Sequence, residues 1–168
     1  MLAELADRLS TVVGRLTGWL FFFIGAVLTY DVIARFLFHA PTAWAADVSI
    51  IMQIWVVYAG MAYVLKEGSL IRITAFVRLA PPFWRKVAEA FSLLVIGFFA
   101  VLMLSESIGI VTESIAQGRR APTMIETPMW VPEIAIPIGF SLLLLQVIAD
   151  LIRLPGRPAP EFADTETE

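Results

Sequence analysis

Four stretches of nearly unbroken apolar sequence alternate with short polar connections along the 168 residues. They run from about Leu16 to Phe38, from Trp44 to about Leu65, from about Val87 to Ile115, and from about Pro128 to Ile152. Each reaches the roughly 20 residues that carry a helix across a hydrocarbon core about 30 Å thick. The third is longer than a perpendicular span requires, so it is expected to tilt or to emerge at one end. Ahead of the first, Leu2, Leu5, Leu9 and Val12 recur at roughly helical spacing among Glu4, Asp7 and Arg8. That pattern predicts a short surface helix leading into the membrane.

The connections carry their own signals. Pro41 disfavours helical geometry at Ala40 and closes the first span, and Trp44 stands where an interfacial aromatic belongs. Ala59, Gly60 and Ala62 form a small-residue patch that would allow close helix approach. A signal peptide cleaved after Ala45 is the rival reading of the first span. The length of that apolar run and the presence of Asp31 and Arg35 within it argue against cleavage.

Between the second and third spans lies a basic arm, 66–86, holding Lys66, Arg72, Arg78, Arg85 and Lys86. Leu70, Ile73 and Val77 share one helical face there, which predicts a helix lying in the headgroup plane; an ordinary basic loop is the alternative. Pro81-Pro82 is expected to end it. Phe83 and Trp84 then anchor the turn at the interface, with Arg85 and Lys86 among the headgroups. Lys66, Arg72, Arg78, Trp84, Arg85 and Lys86 are thus the candidate lipid anchors. Pro128 and Pro132 suit a first helical turn. Pro137 falls inside the fourth span and should free the Glu133 carbonyl and bend the helix. The Pro-rich, then acidic, stretch 155–168 reads as a disordered tail. The expected organisation is one transmembrane domain over 1–154, followed by that tail.

Composition narrows the class. Hydrophobic residues make up 59% of the chain, and mean hydropathy is +0.82. Soluble domains are about 45–50% apolar, and a fold this small could not hide the excess. An all-α polytopic membrane protein follows. The chain has no cysteine and a single histidine, His39, so cysteine-ligated metals and a bis-histidine haem are excluded. Basic residues are distributed unevenly. Arg8, Arg15, the five of the arm, Arg153 and Arg157 fall on one side of a four-span layout; Arg119 and Arg120, with Arg35 at a membrane edge, fall on the other. The positive-inside rule places both termini and the arm in the cytoplasm, where the arm can hold anionic lipid.

Ionisable residues within spans are costly and are candidates for function. Here they are Asp31, Arg35, Asp47 and Glu106, all toward the outer side. They read either as a proton or ion relay, or as a buried structural cluster in which Arg35 neutralises the carboxylates. The second is favoured, because one copy of four helices leaves little room for a carrier cavity. Arg35 is expected to contact Asp31 or Asp47. Arg119 and Arg120, with Glu113 and Glu126 nearby, are candidates for docking a periplasmic partner; solvated loop charges are the bland alternative. No nucleotide loop, metal spacing, nucleophile elbow or triad is present. The expectation is a protein that is not an enzyme, needs no cofactor and binds no nucleic acid.

The order of these features resembles the small membrane subunit of TRAP transporters, the tripartite ATP-independent periplasmic (DctQ-like) family. The stretches that carry the resemblance are Ala40-Pro41-Thr42-Ala43-Trp44 leading to Asp47, Tyr58-Ala59-Gly60-Met61-Ala62, Lys66-Glu67-Gly68-Ser69, Leu79-Ala80-Pro81-Pro82, Pro128-Met129-Trp130 and Ile136-Pro137-Ile138-Gly139. The chain departs from the family pattern at Leu70-Ile71, where a His-Ile pair is common, and at Thr74, where an acidic residue is common. The resemblance implies a multi-pass subunit of the bacterial inner membrane that is a non-catalytic scaffold. Its implied partners are a large permease, which carries the sodium and substrate sites and moves as an elevator, and a periplasmic binding protein that delivers an organic acid, a carboxylate or sulfonate. Two other readings stay open at this point: a small proton-coupled exporter acting as a homodimer, and a structural membrane anchor for a redox enzyme.

Overall fold

The structure, a computed structural model, describes residues 2–40, 42–67, 81–123 and 125–154. Helix α1 spans Leu2–Leu37, α2 Ala45–Lys66, α3 Pro82–Gln117, α4 Trp130–Glu133 and α5 Ala135–Arg153. Four helical stretches are long and apolar enough to cross a membrane, the last formed by α4 and α5 together. Most of the predicted interfacial arm, including Arg72 and Arg78, and the predicted disordered tail lie outside the described residues.

Two boundaries differ from the sequence expectation. The amphipathic N-terminal segment is not a separate surface helix; it continues without a break into the first span, making α1 36 residues long. At 1.5 Å per residue it extends about 54 Å. No proline interrupts it, and Gly14 serves packing rather than breaking, because a Cβ there would lie 2.3 Å from the Tyr63 ring of α2. The second difference is at Pro81-Pro82. This pair starts α3. Pro81 caps the helix in an extended conformation, ψ 154°, and Pro82 takes the first position, where a missing N–H does no harm. Phe83, Trp84, Arg85 and Lys86 therefore lie on the opening turns of α3 rather than in a turn before it.

The other end of α3 closes on Gly118, whose left-handed φ of 60° suits glycine, with its N–H bonded to the Ile115 carbonyl. Pro137 acts as anticipated on the Glu133 carbonyl, which loses its donor four residues on. The helix breaks at Ile134, between α4 and α5. That break leaves Pro137 in the first turn of α5. Pro128 precedes the helix and pairs with Arg120 in an isolated bridge.

The last helix is the centre of the bundle. α5 packs on α1, α2 and α3; α1 and α2 form an antiparallel pair; α3 packs chiefly on α5, with α4 against its far end. The core is Leu65 of α2, Leu93 and Ala100 of α3, and Phe140, Leu143 and Val147 of α5. Phe140 meets Tyr58 and Phe99 with ring centroids 6.0 and 6.3 Å apart. The closest approach to backbone is at Gly139, where a Cβ would lie 2.4 Å from the Tyr58 carbonyl oxygen and 2.7 Å from its carbon. Backbone stands in the way there, so nothing flexible can yield. Gly139→Ala is expected to cost about 1–3 kcal/mol, as overpacking does. Gly109→Ala, with nothing within 4 Å, should be neutral or stabilise by up to about 1 kcal/mol through helix propensity. Thermal melting of the detergent-purified protein distinguishes the two.

Candidate functional site

Polar side chains gather at both ends of the bundle. At the end where the chain starts, Gln146 of α5 is fully buried. Its Oε1 accepts a hydrogen bond from Ser10 Oγ at 2.8 Å. Its Nε2 donates to Asp7 Oδ1 at 3.2 Å and to Asp150 Oδ2 at 3.5 Å. Arg153, two turns further along α5, donates to the other Asp7 oxygen and forms an ion pair with it. Lys66, the last residue of α2, donates to Thr11 Oγ1 on α1. One network thus ties α1, α2 and α5. Lys66, expected among lipid headgroups, is turned into this network because the N-terminal extension of α1 lies alongside it.

Asp7 sits in that extension, ahead of the apolar span. Burial raises its carboxyl pKa, but the hydrogen bonds from Arg153 and Gln146 and the charges of Arg153 and Lys66 outweigh burial and hold it below the ordinary 3.8. Sequence reasoning did not select Asp7, Ser10 or Gln146. The spacing of Gln146, Asp150 and Arg153 on one α5 face was the available signal, but it gains meaning only once α1 is seen to cover that face.

At the opposite end Asp31, almost buried on α1, pairs with Arg35 at 2.9 Å. It also accepts hydrogen bonds from the Thr42 backbone N–H, at 3.1 Å, and from the Thr42 hydroxyl. This carboxylate pins the connection between α1 and α2, in which His39 takes a left-handed φ of 52°. Tyr30 stacks on Trp44 beside it, with centroids 6.4 Å apart.

The four membrane ionisable residues do not form one cluster. Arg35 is joined to Asp31, not to Asp47. Asp47 begins α2 and lines a largely apolar pocket of about 180 Å³ with Ile50, Ile54, Thr123, Thr127 and Pro132. Among the described residues, one Asp47 oxygen and Thr123 Oγ1 are buried there without a partner, and Glu133 Oε2 is likewise buried without one elsewhere. Glu106 lies on the exposed surface of α3, a helix that packs on α5 rather than on α1 or α2. The physical reason is the helix order: α5 stands between α3 and the α1–α2 pair, so no side chain from α3 reaches Asp31.

The segment after α3 folds into a small hairpin. Met129 N–H donates to the Arg119 carbonyl at 3.0 Å and Ala121 N–H to the Thr127 carbonyl at 2.9 Å. Arg120 faces Glu126 at 3.7 Å, both exposed, and Arg119 reaches Ser114 Oγ at 3.5 Å. Trp84 is exposed at the start of α3, while Arg85 and Lys86 are half-buried. Among the described residues no group of three His, Asp or Glu side chains could hold a metal ion.

Two outcomes are expected from the buried network. Gln146→Leu strands Ser10 and weakens the hold on Asp7, and should cost about 1–3 kcal/mol in detergent melting. The Asp7 contribution has a definite pH sign. Its folded pKa is depressed, so its stabilisation is complete above the unfolded value of about 3.9 and is lost as pH falls through the lower folded value. Asp7→Asn should flatten the fall of melting temperature between about pH 4 and the acid limit, and leave the slope near neutrality unchanged.

The family model described as "Tripartite ATP-independent periplasmic transporters, DctQ component" matches residues 24–155. That match starts inside the span portion of α1 and ends just beyond α5. A curated relative, the C4-dicarboxylate TRAP transporter small permease protein DctQ of Vibrio cholerae, is 24% identical over 154 residues, covering 76% of this chain. The chain spans 65% of that relative's length, just under two thirds. With the family match extending over most of the chain and all of α2 to α5, this multi-pass membrane protein belongs to the DctQ component family of TRAP transporters, a family of non-catalytic transporter subunits.

Proposed function

We propose that this chain is the small membrane subunit of a TRAP transporter and acts as a fixed scaffold for a large sodium-coupled permease. In this reading the permease moves as an elevator and imports an organic acid, a carboxylate or sulfonate, delivered by a periplasmic binding protein. The family match carries the reading, and the relative named for C4-dicarboxylates supports the substrate class. The geometry is consistent with a rigid role. Gln146, Asp7, Arg153 and Lys66 tie α1, α2 and α5 at one end, and Asp31 locks the α1–α2 connection at the other. Sodium and substrate sites belong to the partner, and this chain needs no cofactor of its own.

The charge distribution supports an orientation with both termini and the arm in the cytoplasm of a bacterial inner membrane. Arg72, Arg78, Trp84, Arg85 and Lys86 then hold the cytoplasmic lipid surface, and the 119–128 hairpin with Arg119 and Arg120 faces the periplasm, where the binding protein docks. Residues 1–154 act as one domain with the tail 155–168 outside it. The autonomous exporter has less support: Asp31 is already held by Arg35 and Thr42, and Asp47 and Glu106 stand on separate elements.

Reconstitution tests the reading. Proteoliposomes with this chain alone should show no uptake, and adding the large permease and binding protein should give sodium-dependent uptake. Neutral substitutions at Asp31, Arg35, Asp47 and Glu106 should lower the yield of complex more than turnover per assembled complex. Normal assembly with transport abolished would sink the scaffold role. The chain lacks cysteine, so single cysteines report orientation directly. An impermeant thiol reagent applied to intact spheroplasts should label a cysteine at Gln117 and spare one at Glu4.

A further inference from the structure

Glu106 occupies an unusual place. It lies on the exposed side of α3 with exposed Leu102 one turn before it and exposed Ile110 one turn after. Among the described residues it has no hydrogen-bond or ion-pair partner. Its depth follows from packing. Phe99 of α3 meets Phe140 of α5, and Gly97 meets Val147. Continuing this antiparallel register brings Glu106 opposite the stretch 133–138 of α4 and α5. That is about one turn or more to the membrane side of Trp130. Exposed apolar residues continue outward past it, through Ile108 and Ile110 to Ile115. Hydrocarbon offers a carboxylate at this position neither a donor nor a counter-charge.

The surface around it is shaped for a helix. Ser105, Gly109 and Thr112 follow one another at spacings of four and three residues on the same exposed side. Nothing lies within 4 Å of a Cβ at Gly109, so another backbone could approach closely there. The Ser105 and Thr112 hydroxyls are satisfied by carbonyls of their own helix, at 2.8 to 3.0 Å, and Glu113 is bonded to Gln117 at 2.7 Å. Glu106 remains the unpaired group. α3 is also the least covered span: 11% of its apolar stretch is buried, against 44% for the stretch formed by α4 and α5.

We propose that this face of α3 (Leu102, Ser105, Glu106, Gly109 and Thr112) seats a transmembrane helix of the large permease, which supplies a basic or N–H-donating side chain to Glu106. The inference rests on the scaffold reading and adds to it which face meets the partner and by what chemistry. A second copy of this chain is the poorer occupant. Two α3 helices related by a two-fold axis along the membrane normal would set Glu106 against Glu106, two like charges with no donor between them.

The experiment is co-expression of the tagged chain with its large permease, followed by mild-detergent purification. Gly109→Leu and Glu106→Ala should each reduce permease recovery at least tenfold and fivefold, respectively, with the yield and melting temperature of the tagged chain unchanged. Gly18→Leu, at an equally open site on α1, should leave recovery as it was. A photo-crosslinking residue at Ser105 should join the chain to the permease. Normal permease recovery from both α3 variants would overturn the inference and leave the scaffold role standing. So would crosslinks from Ser105 to a second copy of the chain or to lipid alone. Failure of the unmodified chain to retain the permease would instead overturn the scaffold reading, and this inference with it.

Discussion

Gln146 is a neutral amide buried completely among three helices of a membrane protein. In such a setting apolar contact between helices gains little over contact with lipid tails, so close backbone approach and hydrogen bonds between helices decide the arrangement. Gln146 supplies the hydrogen bonds: it engages Ser10 and Asp7 on α1 while remaining bonded to Asp150 of its own helix. Gly139, two turns away on the same helix, supplies the close approach, with α5 pressed against the Tyr58 backbone. An α5 held this way fixes α1 and α2 and shares its Phe140, Leu143 and Val147 surface with α3 and with Leu65 of α2.

The result is an asymmetric bundle. α1, α2 and α5 form a compact unit, bound by charge and amide at one end and by Asp31 at the other. α3 is attached chiefly along α5, with α4 at its far end, and presents most of its circumference outward. The proposed scaffold role fits that division: a portion tied together at both ends, and a surface that stays available. Polar groups turned inward at both ends leave the bundle little freedom to alternate between states, which suits a fixed element better than a moving one.

Much of the fold was legible in the chain. Four apolar runs of sufficient length, punctuated by Pro41, Pro81-Pro82 and Pro137, locate the helices, because a membrane helix must satisfy its backbone internally and breaks only where chemistry forces it. Arg35 next to Asp31 was equally readable, since a spacing of four residues brings two side chains together on any helix. The ends of helices were harder. The N-terminal extension of α1 and the early start of α3 are amphipathic or aromatic stretches whose local pattern allows more than one ending, and packing against Tyr63 and Lys66 settles α1 as a continuous rod.

By itself, then, the chain determined its class, its number of spans and the Asp31–Arg35 ion pair, all of which depend on hydropathy, helix breakers and near-neighbour spacing. Only the tertiary structure decided the partners of Gln146, the separation of Asp47 and Glu106 from Asp31, and the outward aspect of Glu106. These turn on which helix lies beside which. Spans that are apolar around most of their circumference carry almost no record of that order, because lipid and a neighbouring helix ask for the same side chains.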